Sequence, residues 1–147
     1  NNTLILRTNF IGKSHHYNKK SLTDWFFYNL VNDIPFNAFS DIYFSPLSFN
    51  SLTVILQEIF DDFKYGIFNL GSVGKISKFD LANNLAIIMK KEYLVNKTIS
   101  DNFFEIKRAK NMSMNCNLFS KVFKYNLPTI KEEIQNTYNE YLTKNTS

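Results

Sequence analysis

Apolar and polar positions along the chain alternate between runs of strand length and stripes of helical spacing. Leu4-Ile5-Leu6-Arg7-Thr8-Asn9-Phe10, punctuated by Gly12, predicts a buried strand. Ser21, with Asp24 three residues on, predicts a capped helix start, and Trp25, Phe26, Leu30 and Val31 follow at near-helical spacing. Asn32-Asp33 end that helix, and Ile34 to Phe39 reads as a short strand. Pro46 argues for an edge or a turn. A second helix is predicted from about Ser48 to Phe63, with Leu52, Ile55, Leu56, Ile59 and Phe60 on one face.

Gly66 to Gly71 is a short strand bracketed by glycines, and Ser77 with Asp80 opens a third helix. Its expected buried face is Leu81, Leu85, Ile88 and Met89. Between Lys90 and Ser113 the pattern is irregular, with Ile99 and Phe103-Phe104 as short-strand candidates. Asn115 or Asn117 is placed to cap a short helix through Phe123. Pro128 suits the first turn of a last helix with Ile130, Ile134, Tyr138 and Tyr141 as its stripe. The expected class is α/β, a mixed α+β chain whose strands alternate with helices. The lead-in before the first strand is only Asn1-Asn2-Thr3, so a piece of something longer is expected.

Composition narrows the classes. At 147 residues, 44% hydrophobic and 20% charged, the chain fits about one core-forming domain. Its 15 Phe need a core or a partner surface to cover them. The net charge of +4 comes from scattered basic residues such as Lys19-Lys20, Lys90-Lys91 and Lys107-Arg108. That suits an anionic ligand better than nucleic acid. Cys116 is the only cysteine, which excludes an intramolecular disulfide framework. No apolar run reaches membrane-spanning length, so neither a nucleic-acid nor a membrane partner is expected, and a cytoplasmic location is.

Few residues point to chemistry by themselves. His15-His16 are adjacent and would point to opposite sides of an extended segment, with no Cys or acid at ligand spacing. Cys116 has no His near it in sequence, and Asp61-Asp62 at a helix end reads as a solvated turn. Gly71-Ser72-Val73-Gly74-Lys75 lacks the spacing of a phosphate loop and reads as a strand-to-helix turn. No Gly-x-Gly-x-x-Gly fingerprint is present. Arg108 with Asn111 is the pair with most promise, since a guanidinium grips a diphosphate and an amide three residues on reaches a ribose hydroxyl.

Taken in order, several segments resemble the back half of an extended short-chain dehydrogenase/reductase, in the dTDP-4-dehydrorhamnose reductase-like and sugar-nucleotide epimerase branches. Leu6 to Gly12 resembles the strand that follows the Tyr-x-x-x-Lys helix. Asp41-Ile42-Tyr43-Phe44-Ser45-Pro46-Leu47 resembles Asp-x-x-x-x-Pro-Thr. Gly66 to Ser72 followed by Ile76-Ser77-Lys78-Phe79 is similar to the Gly-Ile-Tyr-His … Ser-Lys-Tyr-Glu-Phe stretch. Arg108 to Asn115 is similar to Arg-Pro-Lys-Asn-x-x-Leu-Asp, and Leu127-Pro128-Thr129-Ile130 to the run into the last helix. Ala109, Asn115 and Leu47 depart from the pattern, and Phe44 stands where many epimerases carry Arg.

The resemblance implies a carboxyl-terminal substrate-binding region over residues 1–147, without the amino-terminal Rossmann half. Segments 1–12 and about 48–71 are expected to pack on that missing half. The implied ligand is a nucleoside-diphosphate sugar, with Arg108 at the pyrophosphate, Asn111 at the ribose and Asn9 at the sugar or phosphate. Phe10 and Ile11 would lie near the nicotinamide of NAD or NADP in the complete enzyme. No cofactor is expected for this chain alone and no catalytic residue within it, since the Tyr-x-x-x-Lys pair is missing; Tyr17 with Lys20 has the wrong spacing. The expected partners are that half or a second copy of the chain. The alternative is a non-catalytic nucleotide-sugar-binding or protein-interaction module.

Overall fold

The computed structural model describes residues 2–14, 16, 18–103 and 109–143. Arg108, His15, Tyr17 and Phe104 lie outside these. The chain runs β1 (Leu4–Ile11), α1 (Leu22–Val31), β2 (Phe36–Phe39), β3 (Tyr43–Phe44), β4 (Pro46–Ser48) and α2 (Phe49–Phe60). Then come β5 (Gly66–Leu70), β6 (Ile76–Ser77), α3 (Lys78–Ile88), β7 (Val95–Thr98), β8 (Asn111–Met112), α4 (Asn117–Phe123) and α5 (Ile130–Leu142). Single 3-10 turns at Glu92–Leu94 and Ser100–Asn102 flank β7. The architecture is mixed α/β, as the alternation predicts.

Three small sheets organise it. In the first, β1 pairs parallel with β5 through Leu4–Thr8 and with β4 through Asn9–Ile11. Leu4–Thr8 therefore has a ladder partner on one side only, among the described residues. The second sheet pairs β2 with β7, also parallel, and the third runs β6-β3-β8. Pro46 stands first in β4, the strand position a residue without an N–H tolerates.

Local chemistry sets most helix starts. Ser21 and Asp24 form a reciprocal capping box, and Ser77 accepts from the amide of Asp80. The last helix starts later than Pro128 suggests. Thr129 is its N-cap and Glu132 completes a second capping box, because a threonine hydroxyl can accept from the third helical amide and Pro128 has no hydroxyl to offer. The short α4 also differs. Cys116 precedes it without a side-chain cap, while Asn115 accepts from the amide of Asn117.

Two apolar clusters form the core. One joins Phe26, Leu30 and Phe36 to Leu81, Leu85 and Ile134; the other joins Leu47, Ile55 and Ile59 to Phe68, Leu70 and Phe119. Ile88 on α3 is 37% exposed, and Ala82 and Ala86 are buried in its stead. The face is rotated because small side chains let α3 sit close to β2 and β7. Ile99 is exposed rather than in a strand, and the preceding residues 95–98 take the ladder with β2. Phe103 follows the second 3-10 turn, exposed, with its ring edge-on to Phe39.

The α2 stripe divides in two. Ile55 and Ile59 are buried by the chain's own second cluster, each contributing about 1.5–3 kcal/mol. The chain's own packing covers these two residues. Phe49, Leu56 and Phe60 form a separate exposed line on the same helix. Ile5 and Ile67, cross-strand neighbours in β1 and β5, are also open to solvent. No helix among the described residues is long and apolar enough to cross a membrane.

Candidate functional site

Parallel strands present a ligand-binding crevice at their carboxyl ends, and here β1 and β5 finish side by side. Thr8 pairs with Leu70, and Asn9 follows on one strand and Gly71-Ser72 on the other. The Asn9 Oδ1 and the hydroxyl of Ser72 are both buried with no hydrogen-bond partner among the described residues. An orphaned buried polar group costs about 1–3 kcal/mol; two lie at these adjacent strand ends, and a third, Thr137 Oγ1, on α5. A Cβ on Gly71 would stand 2.5 Å from the Ser45 carbonyl oxygen and 3.2 Å from the Met114 side chain. Only glycine lets those backbones meet.

Ser45 joins this end to the third sheet. Its hydroxyl donates to the Gly74 carbonyl at 2.6 Å and accepts from the Met114 amide at 3.3 Å. From Met114 the chain leads back to Asn111 in β8, opposite Tyr43 of β3. The Asn111 Oδ1 accepts from the amide and hydroxyl of Ser113, at 3.1 and 2.6 Å, which fixes the exposed side chain. The amide nitrogen then has no acceptor among the described residues and can donate outward.

Electrostatics hold β8 in place. Lys110 Nζ donates to Asp101 at 2.7 Å and lies 3.2 Å from Asp41. Asp41 also accepts from the Ser100 amide at 2.9 Å and from its hydroxyl at 2.8 Å. Desolvation pushes the Asp41 carboxyl upward, but the bonds from Ser100 and Lys110 outweigh it and hold it below the ordinary value. Hydrogen bonds to Asp101 and Asp41 raise Lys110. Two residues before Asp41, Phe39 lines a cavity of about 430 Å3 with Trp25, Phe36, Phe103, Asn29 and Lys78.

Of the residues expected from sequence, Asn9 lies partly buried at the end of β1, with Phe10 62% exposed beside it and Ile11 buried. Asn111 stands on β8, linked to that end through Met114 and Ser45. Arg108 lies outside the described residues. Ser72 and the Asp41–Lys110 network escape sequence reading. Ser72 sits in a turn that looks like a mere connector, and Asp41 meets Ser100 across 59 positions. Cys116 is half-buried, and desolvation raises its thiol, so it packs rather than reacts. Among the described residues no His, Cys, Asp and Glu group is placed to hold a metal.

No protein-family model matches the sequence, and neither does any curated protein. Solved structures do match the fold. The dTDP-4-dehydrorhamnose reductase of Bacillus anthracis, in complex with NADP, superposes with a TM-score of 0.81 at 18% identity, over 95% of this chain and 49% of that one. The Yersinia enterocolitica dTDP-4-dehydrorhamnose reductase gives 0.79 at 18% identity, over 94% and 49%. The dTDP-glucose 4,6-dehydratase of Bacillus anthracis, in complex with NAD, gives 0.73 at 12% identity, over 95% and 44%. The chain thus spans about half the length of the solved chains it matches. It has the fold of the carboxyl-terminal portion of dTDP-4-dehydrorhamnose reductases and of the related dTDP-sugar dehydratases.

Proposed function

We propose that this chain is the nucleotide-sugar-binding part of an NAD(P)-dependent reductase or epimerase acting on a nucleoside-diphosphate sugar. The observation that carries the reading is the pair of buried, unpartnered polar atoms, Asn9 Oδ1 and Ser72 Oγ, at the carboxyl ends of β1 and β5. The fold likeness supports the same class of ligand, because the neighbours are enzymes of dTDP-sugars by name. Asn111, with its amide held outward, would meet the ribose; Arg108 would take the pyrophosphate through its paired donors. The aromatic cavity beside Phe39 suits a planar ring.

Phe10, open to solvent at the end of β1, offers an apolar surface on which a nicotinamide ring fits. The nicotinamide cofactor, when bound, supplies or takes the hydride. This chain's own residues bind and orient the sugar nucleotide, which brings the reacting carbon into place. The open side of Leu4–Thr8, the Ile5–Ile67 pair and the Phe49, Leu56 and Phe60 line are the surfaces on which the amino-terminal cofactor half would pack. Coverage by a second copy of the chain is the other arrangement these surfaces allow.

Calorimetric titration of thymidine diphosphate into the chain and its variants is the test. Arg108→Ala and Asn111→Ala should each weaken binding by roughly tenfold or more, as loss of a charge-assisted or paired contact predicts. Equal affinity for all three proteins, with the fold intact by circular dichroism, would rule the roles out.

A further inference from the structure

The turn from Gly71 to Lys75 lacks the spacing of a phosphate loop, and its backbone is already engaged. The Val73 amide donates to the Pro128 carbonyl at 2.8 Å, and the Gly74 carbonyl accepts from the Ser45 hydroxyl at 2.6 Å. One residue later β6 begins, paired with β3. Lys75 is therefore carried on backbone that is held on both sides.

Its side chain reaches across the third sheet. In β3, Tyr43 is paired with Ser77 of β6 on one side and with Asn111 of β8 on the other. Residues paired in a ladder share a face of the sheet. Phe44 and Ile76, on the opposite face, belong to the first apolar cluster, so Tyr43 and Asn111 stand together on the outer face. Lys75, exposed and two residues before Ser77, falls on that face as well. Its Nζ lies 4.9 Å from the centroid of the Tyr43 ring. Lys75, Tyr43 and Asn111 thus make a row across three strands, two spacings or about 10 Å wide.

The two ammonium groups beside β3 differ in what they meet. Lys110 is taken by Asp101 and Asp41. Lys75 meets the ring and, among the described residues, no carboxylate. The acids nearest the turn are committed to helix starts: Asp80 accepts from the Ser77 hydroxyl, and Glu132 from the amide and hydroxyl of Thr129. An ammonium resting on an aromatic face is steadied there and still has donors directed away from the ring.

We propose that Lys75 is a phosphate-binding residue of the nucleotide-sugar site, an assignment that rests on the reading given above. With the ribose at Asn111, the diphosphate lies across Tyr43 and meets the Lys75 ammonium, which shares it with Arg108. The contact is made by the side chain of the turn and not by a cradle of backbone amides. A compact ammonium acts on phosphate as a point charge, so Lys75 selects for the charge of the ligand and is indifferent to its base.

NMR titration of the 147-residue chain with thymidine diphosphate and with thymidine is the test. Lys75→Gln should weaken the diphosphate by about tenfold and leave thymidine unchanged. Lys75→Arg, which keeps the charge, should recover most of the loss. Added salt should weaken the diphosphate more in the wild type than in Lys75→Gln. Lys64→Gln, before the opposite end of β5, should bind as the wild type does. If Lys75→Gln keeps wild-type affinity while Asn111→Ala loses it, the role of Lys75 is refuted and the nucleotide reading stands. Equal weakening of thymidine and the diphosphate, or an arginine variant as weak as the glutamine one, would overturn the charge contact. A wild-type chain that binds no thymidine diphosphate would overturn both.

Discussion

Replacing Glu133 by alanine removes the only buried charged side chain among the described residues, 1% exposed on α5. Its carboxylate accepts from the Ser48 amide and from the Ser51 hydroxyl at 2.6 Å, while Asn136 donates to it from 3.4 Å. Ser48 closes β4, which pairs with Ile11 of β1, and it also caps α2. One side chain thus fastens the last helix to the strand that pairs with the carboxyl end of β1. Truncation strands the fully buried Ser48 amide, at about 1–3 kcal/mol, and leaves Ser51 to rearrange. The lost Cγ methylene adds about 0.8 kcal/mol. A net loss of about 3 kcal/mol follows, a large part of the 5–15 kcal/mol typical of a domain. With a urea slope of about 2 kcal/mol/M, the midpoint falls by about 1.5 M. Glu133→Gln keeps one carbonyl oxygen for the Ser48 amide, and the Ser51 hydroxyl can turn to accept from its NH2, so it should cost about 1 kcal/mol. Urea denaturation followed by circular dichroism reads both. An alanine variant within about 0.5 M of wild type, or a glutamine variant less stable than the alanine one, would refute the clamp.

Other outcomes follow from the same geometry. Tyr141→Phe removes the donor to Asp24, and a bond to a half-exposed carboxylate of this kind is worth about 1–2 kcal/mol. Its melting temperature should drop by about 3–6 °C, and an unchanged melt would show the bond idle. Gly71→Ala drives a methyl group toward the Ser45 carbonyl, so a loss of about 1–3 kcal/mol in urea is expected. Wild-type stability would mean that the two backbones can part. Asp41 has a depressed folded pKa, so its stabilisation is present above the ordinary carboxylate value and is lost as pH falls through the folded one. The stability gap between wild type and Asp41→Asn should hold at neutral pH and close in acid, and a gap constant with pH would contradict the Ser100–Lys110 network.

Local signals were legible in the sequence. The capping pairs Ser21/Asp24 and Ser77/Asp80 each involve residues three apart, and both helices begin where those pairs say. β5 lies between its glycines because Gly66 takes a φ of 140°, which other residues avoid, and Gly71 admits Ser45. What escaped depends on partners far along the chain. Val95–Thr98 becomes a strand only because β2 lies beside it, and Asp41 finds Ser100 and Lys110 through folding alone. The burial of Ala82 and Ala86 over Ile88 follows from how closely α3 approaches its neighbours, which no periodicity encodes. Asn9 is visible through family likeness, whereas its buried orphan oxygen, and that of Ser72, arise only when β1 and β5 come together in the fold.

The ends of β1, β5 and β8 are proposed to form one nucleotide-sugar site. Backbone amide NMR of the chain titrated with thymidine diphosphate tests it most directly, because it locates the ligand residue by residue. Saturable shifts are expected at Asn9 to Ile11, at Gly71-Ser72 and from Arg108 to Ser113, with α4 and the exposed face of α5 unmoved. Saturable shifts confined to other surfaces, or none at millimolar ligand, would contradict it.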